Sequence, residues 1–115
     1  MRWDVIVVGA GAAGLLAACC AAERGRRTLL LEKNRKPGAK ILMSGGTRCN
    51  ITNQKITERD FETENKRVLR NILSAFSSER AVEFFNELGV EVVAEPGGKF
   101  FPRSEEHTSE LQSQR

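Results

Sequence analysis

DVIVVGAGAAG, residues 4–14, is the stretch from which the rest of this chain is read. Its four consecutive apolar residues, Val5 to Val8, include three valines. A short β-branched run without alternation predicts a parallel strand covered on both faces. Gly9-Ala10-Gly11-Ala12-Ala13-Gly14 follows and matches G-x-G-x-x-G. Alanine and leucine then predict a helix from Ala12 to Arg24, with Gly25 as its stop. RTLLLE supplies a second strand, Thr28 to Leu31, with Glu32 at its tip. Strand, helix and strand within about thirty residues form a βαβ unit. The expected fold class is therefore α/β, with an incomplete Rossmann-like βαβ unit followed by two helices and a β-hairpin.

Alone, the glycine pattern carries little weight. Here it follows a strand, opens a helix and has an acidic residue 18 positions after Gly14, the context that marks a dinucleotide-binding fingerprint. Gly9 permits a tight turn, Gly11 lets the backbone approach a pyrophosphate, and Gly14 lets helix and strand pack closely. The helix start, with the amides of Ala12 and Ala13, offers free N–H groups and a partial positive charge. Glu32 can accept both hydroxyls of an adenosine ribose and would repel a 2′-phosphate, which favours FAD or NAD over NADP. The competing reading makes the glycines mere close-packing residues and Glu32 a solvated strand end. The fingerprint does not choose between FAD and NAD.

The next segment, KNRKPGAKILMSGGTRCNITN, is basic and loop-rich, with a short helical turn expected over Ala39 to Met43. Lys33, Arg35, Lys36 and Lys40 read first as a solvated charged face, and Lys40 is the one expected to reach a cofactor phosphate. Ser44, Gly45, Gly46, Thr47, Asn50, Thr52 and Asn53 can offer donors along a second polyphosphate or a flavin edge. Arg48 can pair with a phosphate or hold the loop. Lys33 and Cys49 complete the expected cofactor-binding set.

Two amphipathic helices follow. The first is predicted near Asn65 to Phe76, with Val68, Leu69, Ile72, Leu73 and Phe76 on one face. The second is predicted near Glu79 to Leu88, capped by Ser78, ended by Gly89, with Ala81, Val82, Phe85 and Leu88 inward. VEVVAEPGGKFFP predicts a strand, a Pro-Gly-Gly turn and a returning strand.

Composition excludes several classes. The chain has 115 residues, 40% hydrophobic and 29% charged, enough for one small core. Net charge is +3, too little to argue for nucleic acid, and with no Tyr and a single Trp no stacking platform is visible. Cys19, Cys20 and Cys49 make no C-x-x-C, no even framework and no metal spacing, so no metal site is expected. The chain reads as reduced and cytoplasmic. Val5 to Ala22 is uncharged, but its glycines and alanines keep it only modestly hydrophobic, and Asp4 abuts its start. A membrane or secretory role is therefore set aside.

VIVVGAGAAGLLAA together with LLLEKNRKPGAKILMSGGTRCNITN resembles the BaiN/RdsA-type NAD(P)/FAD-dependent oxidoreductases, also called aminoacetone-oxidase-family flavoproteins. These belong to the two-dinucleotide-binding-domain flavoproteins. Gly38-Ala39-Lys40 and Ser44 to Asn53 match the family's long loop motif, with Thr47 in place of a common third glycine. GGKFFP at 97–102 also resembles a family stretch. The resemblance covers roughly residues 3–102. It implies FAD, with adenosine at Glu32, pyrophosphate over Gly9–Gly14 and the Ser44–Asn53 loop against the cofactor. It implies flavin redox chemistry on a small-molecule substrate, with NAD(P)H as an electron donor in a full-length protein. No catalytic acid or base is assigned. Cys49 reads as a small packing residue, and Cys19 and Cys20 as buried filler.

PRSEEHTSELQSQR closes the chain with no helix or strand period and holds the sole histidine, His107. Its RSEEHTSELQS core resembles the in-frame translation of a sequencing-library adapter. The expected division is a partial FAD-binding domain over 1–102 and a non-native or disordered tail over 103–115. Such a fragment is expected to be inactive, to retain FAD weakly and to aggregate. The competing readings are a stand-alone NAD or adenine-nucleotide module without redox activity, and a basic nucleic-acid or membrane-associated module.

Overall fold

The structure is a computed structural model that describes residues 1–44 and 48–104. The chain divides into two compact units, Met1–Cys49 and Asn50–Arg115.

In the first unit, β1 (Val5–Val8) and β2 (Thr28–Leu31) form a parallel pair joined through helix α1 (Ala12–Glu23). Val5 pairs with Thr28 and Val8 with Leu31. Asp4 fixes the start of this ladder, since its N–H donates to the Arg27 carbonyl at 2.9 Å and its carboxylate accepts from the Arg27 N–H at 2.9 Å. At the far end of α1, Gly25 takes a φ of 73°. The N–H groups of Gly25 and Arg26 donate to the Ala22 and Ala21 carbonyls at 2.9 and 3.2 Å. Both bonds satisfy carbonyls that the helix end would leave open, the geometry for which glycine is favoured at this position. A short helix, α2 (Ala39–Met43), follows β2.

The expectation of a strand covered on both faces needs correction. β1 alternates: Val5 and Val7 are half-buried, while Ile6 is 56% and Val8 82% exposed. A pleated strand sends successive side chains to opposite faces. One helix layer can therefore cover only half of the valine-rich run.

In the second unit, β3 (Thr52–Asn53), β4 (Val92–Ala94) and β5 (Lys99–Pro102) make an antiparallel sheet in the order β3-β5-β4. Gly97 and Gly98, at φ of 96° and 88°, form the predicted turn between β4 and β5. The ladder continues past β5, where the Arg103 N–H donates to the Glu91 carbonyl at 2.7 Å. α3 (Lys66–Ala75) and α4 (Ser78–Glu87) lie between β3 and β4 in the chain. Asn65 and Ser77 cap them, accepting from Val68 N and Arg80 N at 3.1 Å each. The cap of α4 is thus Ser77 rather than Ser78. The Ser78 hydroxyl donates instead to the Asn53 carbonyl and meets the Thr52 hydroxyl at 3.2 Å, tying α4 to β3. Phe101 is 2% exposed and Ala81 is buried, with Phe76, Phe84 and Phe85 stacked edge-to-face nearby in sequence. The predicted apolar face of α3 is only partly covered, for Val68 and Ile72 are about half exposed.

Candidate dinucleotide-binding site

The turn from Gly9 to Gly14 is built by three hydrogen bonds across the chain. Gly9 N–H donates to the Leu31 carbonyl at 2.7 Å, extending the parallel ladder past its last strand pair. Ala10 N–H donates to Glu32 Oε2 at 2.6 Å. The Ala10 carbonyl accepts from Gly38 N–H at 2.7 Å. Ala10 is 1% exposed, so its peptide groups are gripped at the centre of the unit.

Each fingerprint glycine has a distinct physical reason. Gly9 sits at φ 101°, in the left-handed region that favours glycine. Gly14 packs against the turn so closely that a Cβ would lie 1.8 Å from the Gly9 carbonyl oxygen. Gly11 is different. Its φ of −80° and ψ of −171° suit any residue, and a Cβ there would meet nothing within 4 Å. What Gly11 keeps clear is space outside the protein.

That space lies over an open helix start. No side chain caps α1, and its first internal bond runs from Leu15 N–H to the Gly11 carbonyl at 2.9 Å. The N–H groups of Ala12, Ala13 and Gly14 form the unsatisfied first turn, and among the described residues none has an acceptor. Ala12 and Ala13 are exposed. Bare amides, the positive end of the helix dipole and an absent side chain fit an anion such as a pyrophosphate.

Glu32 stands half-buried at the tip of β2 and faces this turn. Oε2 accepts from Ala10 N–H, and Oε1 accepts from Asn34 N–H at 3.1 Å. These amides, Ala10 first, hold its carboxyl below the usual carboxylate range against the opposing cost of desolvation, and Lys33 adds a smaller attraction. A depressed folded-state pKa means that the stabilisation is present at neutral pH and lost as pH falls through that lowered value. The Ala10 amide proton shift is therefore expected to titrate with a midpoint below that of an ordinary glutamate. Glu32→Gln should abolish the titration while leaving one acceptor in place. A midpoint at or above the ordinary value, followed by NMR, would contradict this account.

The remaining predicted residues sort by position. Lys33 is exposed beside Glu32, and Lys40 is exposed on α2. Ser44 closes α2, its hydroxyl donating to the Ile41 carbonyl at 3.0 Å. The Ser44 carbonyl accepts from Cys49 N–H at 3.0 Å. Cys49 has a φ of 62°, where a side chain is strained. Arg48 is exposed. Asn50 opens the second unit. Gly45 and Gly46, with Thr47, lie outside the described residues, as does the tail beyond Ser104. Thr52 and Asn53, read from sequence as part of the polar loop, form β3. Cys19 is exposed rather than buried filler, and Cys20 is partly buried. Among the described residues there is no cluster of His, Cys, Asp or Glu able to hold a metal, and no helix long and apolar enough to cross a membrane.

Sequence reasoning missed Gly38. It is buried, begins α2 at φ 69° and donates to the Ala10 carbonyl. Its signals were the Pro-Gly dipeptide at 37–38 and the Gly38-Ala39-Lys40 motif, neither of which assigned it a role in the turn.

A strand, a glycine turn, an uncapped helix and a carboxylate at the next strand tip together define a Rossmann-type nucleotide-binding unit. The chain belongs to the HI0933-like protein Rossmann domain family, which it matches over residues 3–112. It is similar to the ribosomal RNA dihydrouridine synthase of Escherichia coli K12, 39% identical over 89 residues, which are 77% of this chain and 22% of that protein. It is also similar to the 3-dehydro-bile acid delta(4,6)-reductase of Clostridium scindens, 34% identical over 108 residues, 92% of this chain and 26% of that protein. A shorter similarity, 44% over 59 residues, links it to the 3-oxosteroid 1-dehydrogenase of Mycolicibacterium smegmatis, covering 51% of this chain and 10% of that protein. The chain thus spans about a quarter of the length of the first two relatives.

Proposed function

We propose that this chain is an FAD-binding part of a flavin-dependent oxidoreductase. The observation that carries the reading is the open, uncapped start of α1 beneath Gly11, with Glu32 fixed beside it. The names of the relatives, a ribosomal RNA dihydrouridine synthase, a 3-dehydro-bile acid reductase and a 3-oxosteroid dehydrogenase, support redox work, the first naming an RNA substrate and the other two small molecules.

In this reading the amides of Gly11 to Gly14 bind the pyrophosphate. Glu32 accepts from the adenosine ribose with the lone pairs that Ala10 and Asn34 leave free. Lys40 and Arg48 add positive charge from the same unit, and Lys33, Ser44 and Cys49 complete the part of the cofactor-binding set that this unit describes. The flavin, when bound, supplies the hydride chemistry. The chain's own residues bind and orient it. The whole protein is a cytoplasmic enzyme whose flavin receives electrons from NAD(P)H.

Titration of the 115-residue chain with ADP, FAD, NAD and NADP, followed by amide shifts, tests the reading. ADP, FAD and NAD are expected to perturb Gly11 to Gly14 and Ala10. NADP should bind at least about tenfold more weakly than NAD, because like charges brought together across a site cost several kcal/mol. NADP binding as tight as NAD, or shifts confined to the second unit, would refute it. NAD binding without FAD binding would favour the stand-alone nucleotide module.

A further inference from the structure

We propose that Gly38 is a positioning residue for the anion site, acting through the peptide between Ala10 and Gly11. The proposal rests on the dinucleotide reading and adds a part to it.

Every peptide bond described is trans. In a trans peptide the carbonyl and the N–H point in opposite directions. The Ala10 carbonyl points to Gly38, whose N–H donates to it at 2.7 Å. The Gly11 N–H of the same peptide therefore points away from Gly38. Among the described residues it has no acceptor. It thus joins the row of bare amides at the start of α1.

This orientation is not secured by local backbone preference. A flip of the Ala10–Gly11 peptide rotates ψ of Ala10 and φ of Gly11. Glycine visits positive and negative φ about equally, so a flip at Gly11 meets little steric resistance. The flipped peptide would aim a carbonyl oxygen at the pyrophosphate and withdraw one N–H. Two contacts from outside the turn oppose this. Glu32 holds the N–H of Ala10 and Gly38 holds its carbonyl, so the residue is clamped on both sides. Only the Gly38 bond acts on the flipping peptide itself. Gly38 can make it because it sits at φ 69°, which turns its N–H toward the turn as it starts α2. A Cβ at Gly38 would find ordinary contacts, 3.5 Å from Ile41 Cδ1 and 3.7 Å from Leu15 Cδ1. Glycine is needed there for its backbone angle, not for room.

The test removes one N–H and leaves the side chains alone. Replacing the Pro37–Gly38 amide by an ester exchanges the Gly38 N–H for oxygen. ADP and adenosine are the probes, since both carry the ribose that Glu32 reads and only ADP carries the diphosphate. The ester is expected to weaken ADP by about tenfold, the scale of one hydrogen bond to a charged site, and to leave adenosine within about twofold. D-Alanine at position 38 keeps both the N–H and the positive φ, and should bind ADP as the unmodified chain does. ADP bound equally well by the ester, ADP and adenosine weakened alike, or ADP lost in the D-alanine chain would each overturn the proposal. Should the ester chain fail to fold, the through-hydrogen-bond coupling between Gly38 N and the Ala10 carbonyl carbon in the unmodified chain decides, and its absence overturns the proposal. An unmodified chain that binds neither ADP nor adenosine defeats the dinucleotide reading, and this proposal with it. An ester chain that matches it on ADP defeats this proposal alone.

Discussion

Gly14→Ala is expected to unfold the first unit. The new Cβ would stand 1.8 Å from the Gly9 carbonyl oxygen and 2.9 Å from its carbon. Both are backbone atoms, so no side chain can swing aside. Nor can the turn easily retreat. Gly9 N–H is bonded to Leu31, and Ala10 is held by Glu32 and Gly38. Relief requires α1 to lift from β1, where Val7 Cγ1 lies only 3.4 Å from the same position. Overpacking a close contact costs ~1–3 kcal/mol and sometimes more. A methyl forced onto a fixed carbonyl belongs at or above the top of that range. Urea denaturation should show a loss of at least about 3 kcal/mol, or no folded baseline at all. A variant within about 1 kcal/mol of the parent would mean that the α1–β1 approach is looser than described.

Gly11→Asp is expected to do the opposite to stability and far worse to binding. Gly11 already has the extended backbone of an N-cap, and open space awaits its Cβ. An aspartate oxygen there can accept from the bare amides of the first turn. It also places negative charge at the positive end of the helix dipole. Stability should be unchanged or rise by up to about 1 kcal/mol. The same carboxylate would occupy and repel the pyrophosphate position. ADP affinity should fall at least about a hundredfold, since like-charge juxtaposition costs several kcal/mol. Calorimetric melting and ADP titration on one sample check both halves. ADP affinity within a few-fold of the parent would place the anion elsewhere. The two glycines thus separate: one is required by the fold, the other by the ligand.

Much of this architecture was legible in the residue order. The spacing from Val5 to Glu32 predicted strand, turn, helix and strand within a residue or two of their observed bounds. Gly25 and Gly89 marked helix ends, and Gly97-Gly98 marked the hairpin. These features are legible because each depends on contacts a few residues apart, where side-chain period and glycine's freedom act directly. The errors share a different cause. Ser77 rather than Ser78 caps α4 because β3 recruits the Ser78 hydroxyl. Thr52 and Asn53 leave the polar loop because β5 offers them a ladder. Ile6 and Val8 stay exposed although their neighbours pack. Each outcome turns on a partner distant in sequence.

The order of residues was enough to establish a nucleotide-type glycine turn with an acidic residue at the next strand tip, because G-x-G-x-x-G is a statement about backbone sterics within one turn. Only the folded chain decided that Glu32 and Gly38, 22 and 28 residues beyond Ala10, grip the two sides of that residue. Main-chain amides and carbonyls are the same at every position, so residue identity carries no record of which of them meet. Their pairing is chosen by how β2 and α2 are brought against the turn.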